Sequence, residues 1–313
     1  MSKPRLLQIG PVTPPADARL ARDYDVLALW KEADPPAYLA AHGSEFEAAA
    51  IHLRFAFDAA MLAALPNLKA LCNFGAGYDK IDVAAVKARG VQLSNTPGVL
   101  DDCVADTAMG LLIDAARGFS TTTRFVREGQ WKAGKQRPLT TRVNRKNMGL
   151  VGYGGIGRAI ARRADGFGMT VRYNSRKAVA GAPHAHEPDL LALAKWADFL
   201  VLACPGGPAT RHMINAQVLD ALGPQGILVN IARGSVVDEA ALVAALKEGR
   251  IAGAGLDVYE NEPNIPEELL AMDNVTALSH IAGFTRESRA DMEALVCDNV
   301  DAFFKTGKVL TPV

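Results

Sequence analysis

Gly152-Tyr153-Gly154-Gly155-Ile156-Gly157 has the G-x-G-x-x-G spacing that lets a backbone turn close on a pyrophosphate. The apolar run Met148–Val151 before it reads as a buried strand, and Arg158–Arg163 after it reads as a helix. Gly152 permits the tight turn, Gly154 removes a Cβ that would hold a phosphate off, and Gly157 lets the helix pack close to the strand. Gly155 and Ile156 complete the cofactor-contacting turn. N–H groups at the helix start, aided by the helix dipole, then favour the phosphates.

The next strand, Met169–Tyr173, ends about 20 residues after the fingerprint, where an NAD site carries an acid for the ribose 2′-hydroxyl. Here the residues are Asn174-Ser175-Arg176-Lys177. An acid would repel a 2′-phosphate, whereas Arg176 can clamp one bidentately with help from Ser175. The expected cofactor is therefore NADP(H), preferred over NAD(H).

Ligands of an open parallel sheet sit beyond the strand C-termini. Three strands that follow the fingerprint end in unusual polar residues. Ile231-Ala232-Arg233-Gly234 places a cation there, Asp257 to Pro263 places carboxylates including Glu262, and Ser279-His280-Ile281 places an imidazole. Taken singly, Arg233 reads as a helix cap, Glu262 as a surface carboxylate and His280 as a satisfied core histidine. Together at one sheet edge they read as a guanidinium, a carboxylate and an imidazole converging on one reacting group.

Strands alternating with helices must position these groups. Arg5–Ile9, Tyr24–Leu29, Ala48–Arg54, Leu68–Phe74 and Val91–Ser94 read as strands of a first α/β unit without a phosphate fingerprint. Leu100–Ala116 reads as a long helix, ended by Gly118, and Arg124–Trp131 as a second, amphipathic one. The strands of the second unit continue through Phe199–Ala203, Ile227–Ile231, Gly255–Val258 and Val275–Leu278. Thr285 caps a last helix to about Phe304, with Met292, Leu295, Val296, Cys297 and Val300 on its apolar side. The fold class is α/β: two Rossmann-like, doubly wound parallel-sheet domains with an active-site cleft between them. The substrate-binding, flavodoxin-like domain is expected over 1–98 plus 286–313, and the NADP-binding domain over 99–285.

The 313 residues suffice for two cores, and 34 basic residues against 34 acidic ones give no net charge to attract nucleic acid or a membrane. The Met-Ser-Lys-Pro start has no apolar stretch behind it, and the four scattered cysteines form no C-x-x-C. A cytoplasmic protein with reduced cysteines is expected. His184-Ala185-His186-Glu187 falls in an Ala/Pro-rich loop and is not read as a metal site.

The chain resembles the D-2-hydroxyacid dehydrogenase family over nearly its whole length. The resemblance is carried by Phe74–Asp82, Asn95–Leu100, the Gly152–Gly157 fingerprint, Asn230–Gly234, Leu256–Pro263 and Ser279–Gly283. Within the family, Asn174–Lys177 and the compact length are most similar to the NADP-linked glyoxylate/hydroxypyruvate reductases. The resemblance implies that Arg233 holds the substrate carboxylate and ketone oxygen, and that His280 gives the ketone its proton. It implies that Glu262 hydrogen-bonds His280 and favours its protonated form. Amides at Ala76 and Gly77 would bind the carboxylate, and Asp257 would contact the nicotinamide carboxamide. Cys204, Pro205, Ile231 and Ala232 would line the cofactor, and Arg54 would face the substrate. Trp131 matches a position where a partner subunit's aromatic can border the site. The Leu100–Ala116 helix and its neighbour resemble the family's dimer contact, so a homodimer is expected. A reductase of larger 2-oxo acids, such as 2-ketogluconate or arylpyruvates, is the alternative enzyme. A dinucleotide-sensing corepressor is the alternative outside catalysis, since such proteins keep the same Arg, Glu and His.

Overall fold

The computed structural model of the chain describes residues 3–313. First come β1 (Arg5–Ile9), α1 (Pro14–Asp23), β2 (Asp25–Ala28), α2 (Pro35–His42), β3 (Ala48–His52), α3 (Ala59–Ala63), β4 (Ala70–Phe74), α4 (Val83–Ala88) and β5 (Gln92–Ser94). Then come α5 (Asp101–Arg117), α6 (Phe119–Arg127), β6 (Asn147–Val151), α7 (Gly155–Gly166), β7 (Thr170–Asn174), β8 (Ala185–His186) and α8 (Leu190–Trp196). The series closes with β9 (Phe199–Leu202), α9 (Ala216–Leu222), β10 (Ile227–Asn230), α10 (Glu239–Lys247), β11 (Gly253–Leu256), α11 (Glu267–Leu270), β12 (Val275–Ala277) and α12 (Arg286–Thr306). The chain divides into two compact units, one running to Leu100 and resuming at Thr285, the other spanning Asp101–Phe284.

The first unit is a five-stranded sheet in the order β2-β1-β3-β4-β5, every pairing parallel. That is the flavodoxin-like order of a doubly wound sheet. Helices cover both faces, so β4 is buried at every position and its residues read as an unbroken apolar-centred run. Met292, Val296, Cys297, Val300 and Phe303 of α12 join Leu6, Ala48 and Cys72 in one core. Arg19 of α1 secures that helix by bonds of 2.6 and 2.7 Å to Asp298 and Asp301.

The second unit holds seven parallel strands in the order β12-β11-β10-β9-β6-β7-β8. The order reverses between β6 and β9, the switch point at which such sheets bind ligands. The apolar stripe of α5 is buried inside this unit, where the helix packs on α7, β10 and β11. Gly255 makes room for it, since a Cβ there would lie 2.9 Å from that of Leu111. Among the described residues no helix is long and apolar enough to cross a membrane.

Several elements depart from expectation. The helix expected from Arg124 begins at Phe119, because Gly118 at φ +62° lets the chain turn straight out of α5 and Asp114 accepts the Ser120 N–H at 2.8 Å. The strand expected at Gly255–Val258 lies two residues earlier, since its neighbour β12 is last paired at Leu256↔Ala277. Ala185–His186, read as loop, is an edge strand paired with β7. Leu200, fully buried on β9, tests the core of this unit. Leu200→Ala should lower unfolding free energy by roughly 2–5 kcal/mol, read from urea denaturation of the whole chain.

Candidate active site

Three strand tips of the seven-stranded sheet carry the polar residues. After β10, the buried Asn230 side chain accepts the Ala232 N–H at 3.0 Å and donates to the Arg233 carbonyl at 3.1 Å. These bonds fold Ile231–Arg233 back on the strand end, leaving Arg233 partly exposed. Its guanidinium donates to the Ala232 carbonyl at 2.7 Å, and its stem lies so near Gly206 that a Cβ there would come within 2.7 Å of Cγ. Gly234 brings this loop against the next, since a Cβ would fall 1.8 Å from the Tyr259 carbonyl carbon.

After β11, Tyr259 is buried and its hydroxyl donates to the Leu278 carbonyl at 2.8 Å, tying this tip to the one after β12. One Glu262 oxygen accepts the Tyr259 N–H at 3.2 Å, and the other meets His280 Nδ1 at 2.7 Å. Burial, the largest influence on Glu262, would raise its pKa, yet the bond and charge of His280, the Tyr259 amide and Arg233 together lower it. Glu262 thus stays an acceptor through the ordinary carboxylate range, and the contact weakens only as pH falls through that lowered value. Glu260 accepts from Arg211 at 2.9 Å and His212 at 2.8 Å, and its N–H donates to Glu239 at 3.1 Å, bracing the same loop.

His280 itself sits at φ +57°, a left-handed backbone unusual for a residue with a Cβ. Asp257, 1 % exposed, holds it there. The Asp257 carbonyl accepts the His280 N–H at 2.8 Å, and its two carboxylate oxygens accept Ile281 N–H at 2.8 Å and Ala282 N–H at 2.9 Å. Expected at the nicotinamide carboxamide, Asp257 has both side-chain oxygens engaged by the loop that carries His280.

The fingerprint glycines divide their work as their spacing predicts. A Cβ on Gly152 would strike the Ala203 carbonyl at 2.6 Å and the Cys204 nitrogen at 2.7 Å. One on Gly157 would strike the Gly152 oxygen at 2.3 Å, whereas one on Gly154 would meet open space. Gly154 therefore leaves room that a phosphate would fit, at the switch point where Gly152 lies against Cys204. After β7, the Asn174 amide donates to the carbonyls of Glu187 and Pro188, both at 2.9 Å, and the Ser175 hydroxyl donates to that of Lys177 at 2.6 Å. Two of the four residues expected to bind the cofactor here thus shape the loop, and the exposed Arg176 and Lys177 carry its charge. His186 approaches the Ser175 carbonyl at 3.0 Å and braces this loop, whereas His184 meets Tyr153 of the fingerprint at 2.6 Å and Asp165 of α7 at 3.0 Å. Among the described residues no group of three or more candidate ligands for a metal ion occurs.

In the five-stranded unit, Arg54 is exposed just beyond β3. The buried Asn73 donates to the carbonyls of Gly75 at 3.1 Å and Gly77 at 2.9 Å, and Asn95 to that of Ala76 at 2.8 Å. The Gly75–Gly77 loop is therefore held through its carbonyl oxygens.

The sequence pattern of the D-isomer specific 2-hydroxyacid dehydrogenases, NAD binding domain, matches residues 109–282. The chain belongs to that family. It is 39% identical over 308 residues to glyoxylate/hydroxypyruvate reductase A of Arabidopsis thaliana, covering 98% of both chains. It is 46% identical to 2-ketogluconate reductase of Gluconobacter oxydans, over 80% of each. Its fold matches the NADPH-dependent glyoxylate/hydroxypyruvate reductase of Sinorhizobium meliloti, solved with NADP and malonate, with TM-score 0.92 at 42% identity, covering 100% of this chain and 97% of that one.

In this 2-hydroxyacid dehydrogenase the three tips depend on residues that carry no reactive group. Asn230, Tyr259 and Gly234 were visible only as parts of motifs; Tyr259 and Gly234 meet their neighbours on the tips of other strands. Asp257→Ala would leave two N–H groups of the His280 loop without acceptors. It should cost about 1–3 kcal/mol of stability, read from thermal unfolding, and should broaden the His280 imidazole signals in NMR spectra.

Proposed function

We propose that this dehydrogenase reduces small 2-oxo acids of the glyoxylate/hydroxypyruvate type to D-2-hydroxy acids and prefers NADPH to NADH. The observation that carries the reading is the 2.7 Å contact between His280 and Glu262 on the sheet edge that also presents Arg233. The substrate-binding role falls to the unit containing Arg54, Ala76 and Gly77, and the cofactor-binding role to the unit containing Gly152–Gly157, Ile231 and Ala232. The chemistry supplied by the bound nicotinamide is a hydride delivered to the ketone carbon.

The remaining work belongs to side chains of this chain. Glu262 engages Nδ1, so Nε2 of His280 is the nitrogen that gives its proton to the ketone oxygen as charge develops there. Arg233 offers a planar fork to the carboxylate and the ketone oxygen. Glu262, ionised at neutral pH, fixes the ring's orientation and offsets the imidazolium charge. Arg176 and Lys177 supply cations for a 2′-phosphate, which the relative solved with NADP makes reasonable.

The likeness to 2-ketogluconate reductase favours a second reading, a reductase of longer 2-oxo acids. Initial rates over glyoxylate, hydroxypyruvate, 2-ketogluconate and an arylpyruvate, each with both cofactors, test the two against each other. Absence of turnover with all four would instead favour a dinucleotide-sensing binding protein. A homodimer is part of the proposal. The α5 stripe is buried within its own unit, so the contact is assigned to α6, which buries no residue, and to the exposed Trp131 and Leu139.

His280→Ala should lower kcat by about 10²–10⁴-fold while the Kd for NADPH in fluorescence titration stays nearly unchanged. Arg176→Ala should raise KM for NADPH roughly tenfold or more, as loss of a charge-assisted bidentate contact implies, and leave KM for NADH nearly as it was.

A further inference from the structure

The first turn of α7 begins at Gly155, and its N-cap Gly154 has no side chain to cap the exposed N–H groups. The negative charge at this helix end comes from another element. Asp101, first residue of α5, lies beside it: a Cβ on Gly155 would fall 1.9 Å from Asp101 Oδ2 and 2.8 Å from Cγ. A glycine at position 155 is thus the residue that admits this carboxylate. The neighbouring charges have other partners. Asp102 and Asp106 of α5 bind Arg163 of α7 at 2.9 and 2.6 Å, and Asp102 also binds Arg162 at 3.1 Å.

We propose that Asp101 is a resident anion at the phosphate end of the fingerprint, which a dinucleotide pyrophosphate must displace or meet in neutral form, and that it thereby sets cofactor affinity. Without cofactor the carboxylate, lying beside Gly155, complements the positive end of the α7 dipole. With cofactor it stands near a second anion in a partly desolvated place, where like charges repel far more than in water. Burial is the largest influence on Asp101 and raises its pKa; Arg158 of α7 opposes this, Asp102 adds to it, and Arg162 opposes it. Rising pH therefore ionises Asp101 and should loosen the cofactor.

The inference rests on reading Gly152–Gly157 as the pyrophosphate site, and calorimetry separates the two. Asp101→Asn should tighten NADP⁺ roughly tenfold at about pH 8, with the ratio of the two Kd values shrinking towards unity as falling pH protonates the carboxylate. The ratio cancels titration of the ligand's own 2′-phosphate. Adenosine 2′-monophosphate, which has no pyrophosphate, should bind both proteins equally and reports an intact site. If Asp101→Asn fails to fold, Asp101→Ser serves. On the unaltered chain, the Kd for NAD⁺ should in any case rise with pH across the acid range. A ratio near one at every pH, equal tightening of adenosine 2′-monophosphate, or a pH-independent Kd for NAD⁺ would overturn the role of Asp101. Failure of NADP⁺ and NAD⁺ alike to bind the unaltered chain would overturn the fingerprint reading itself.

Discussion

The left-handed backbone of His280 costs on the order of 1–2 kcal/mol for a residue with a Cβ, so a rigid neighbour must hold it. Asp257 does so from below, engaging three successive N–H groups through its carbonyl and both carboxylate oxygens. The anchor is buried at the end of β11, a strand paired on both sides. The imidazole is thus fixed to the sheet by bonds made one strand away. Glu262 then fixes the remaining freedom, ring rotation, by taking Nδ1. In the proposed role of proton donor, an imidazole whose angle is already set loses little entropy on reaction.

Neighbouring tips come close because small residues let them. Gly234 allows the loop after β10 to touch the backbone at Tyr259, and Gly206 lies against the stem of Arg233. Through these contacts Arg233 comes near enough for its charge to lower the pKa of Glu262. The switch point follows the same logic, with Gly152 against Ala203 and Gly157 against Gly152. Parallel strands set the spacing of the tips, and missing Cβ atoms set how tightly their loops nest.

Much of this was legible because each signal is local. Apolar runs marked β1, β6, β9 and β10 to within one residue, and the glycine spacing placed the turn before α7. Thr285 marked the start of α12, and its end at Thr306 lies two residues past the expected one. The losses were those whose cause lies elsewhere in the chain. The polar start of α6 is helical because Gly118 and Asp114 set it up, while β8 exists because β7 offers an edge. Likewise, the apolar side of α5 reads the same whether it meets its own sheet or a second subunit. Asp257 stood out as a charged residue after a strand, but no spacing rule reveals that its partners are N–H groups 24 and 25 positions away.

The stretch after β7 shows how one sequence feature can serve two physical ends. Asn174, Ser175, Arg176 and Lys177 read together as a site for a 2′-phosphate. Yet the Asn174 amide donates two hydrogen bonds to carbonyl oxygens of the segment leading from β8 into α8. A carboxylate at that position has no N–H to donate and would face two carbonyl oxygens instead. The neutral amide therefore follows from loop architecture as much as from any cofactor. The positive charge at this strand end belongs to Arg176 and Lys177, both exposed on a loop that Asn174, Ser175 and His186 keep in shape. An acid introduced to favour a ribose 2′-hydroxyl would have to be placed beyond residue 174, or the segment after β8 would lose two hydrogen bonds.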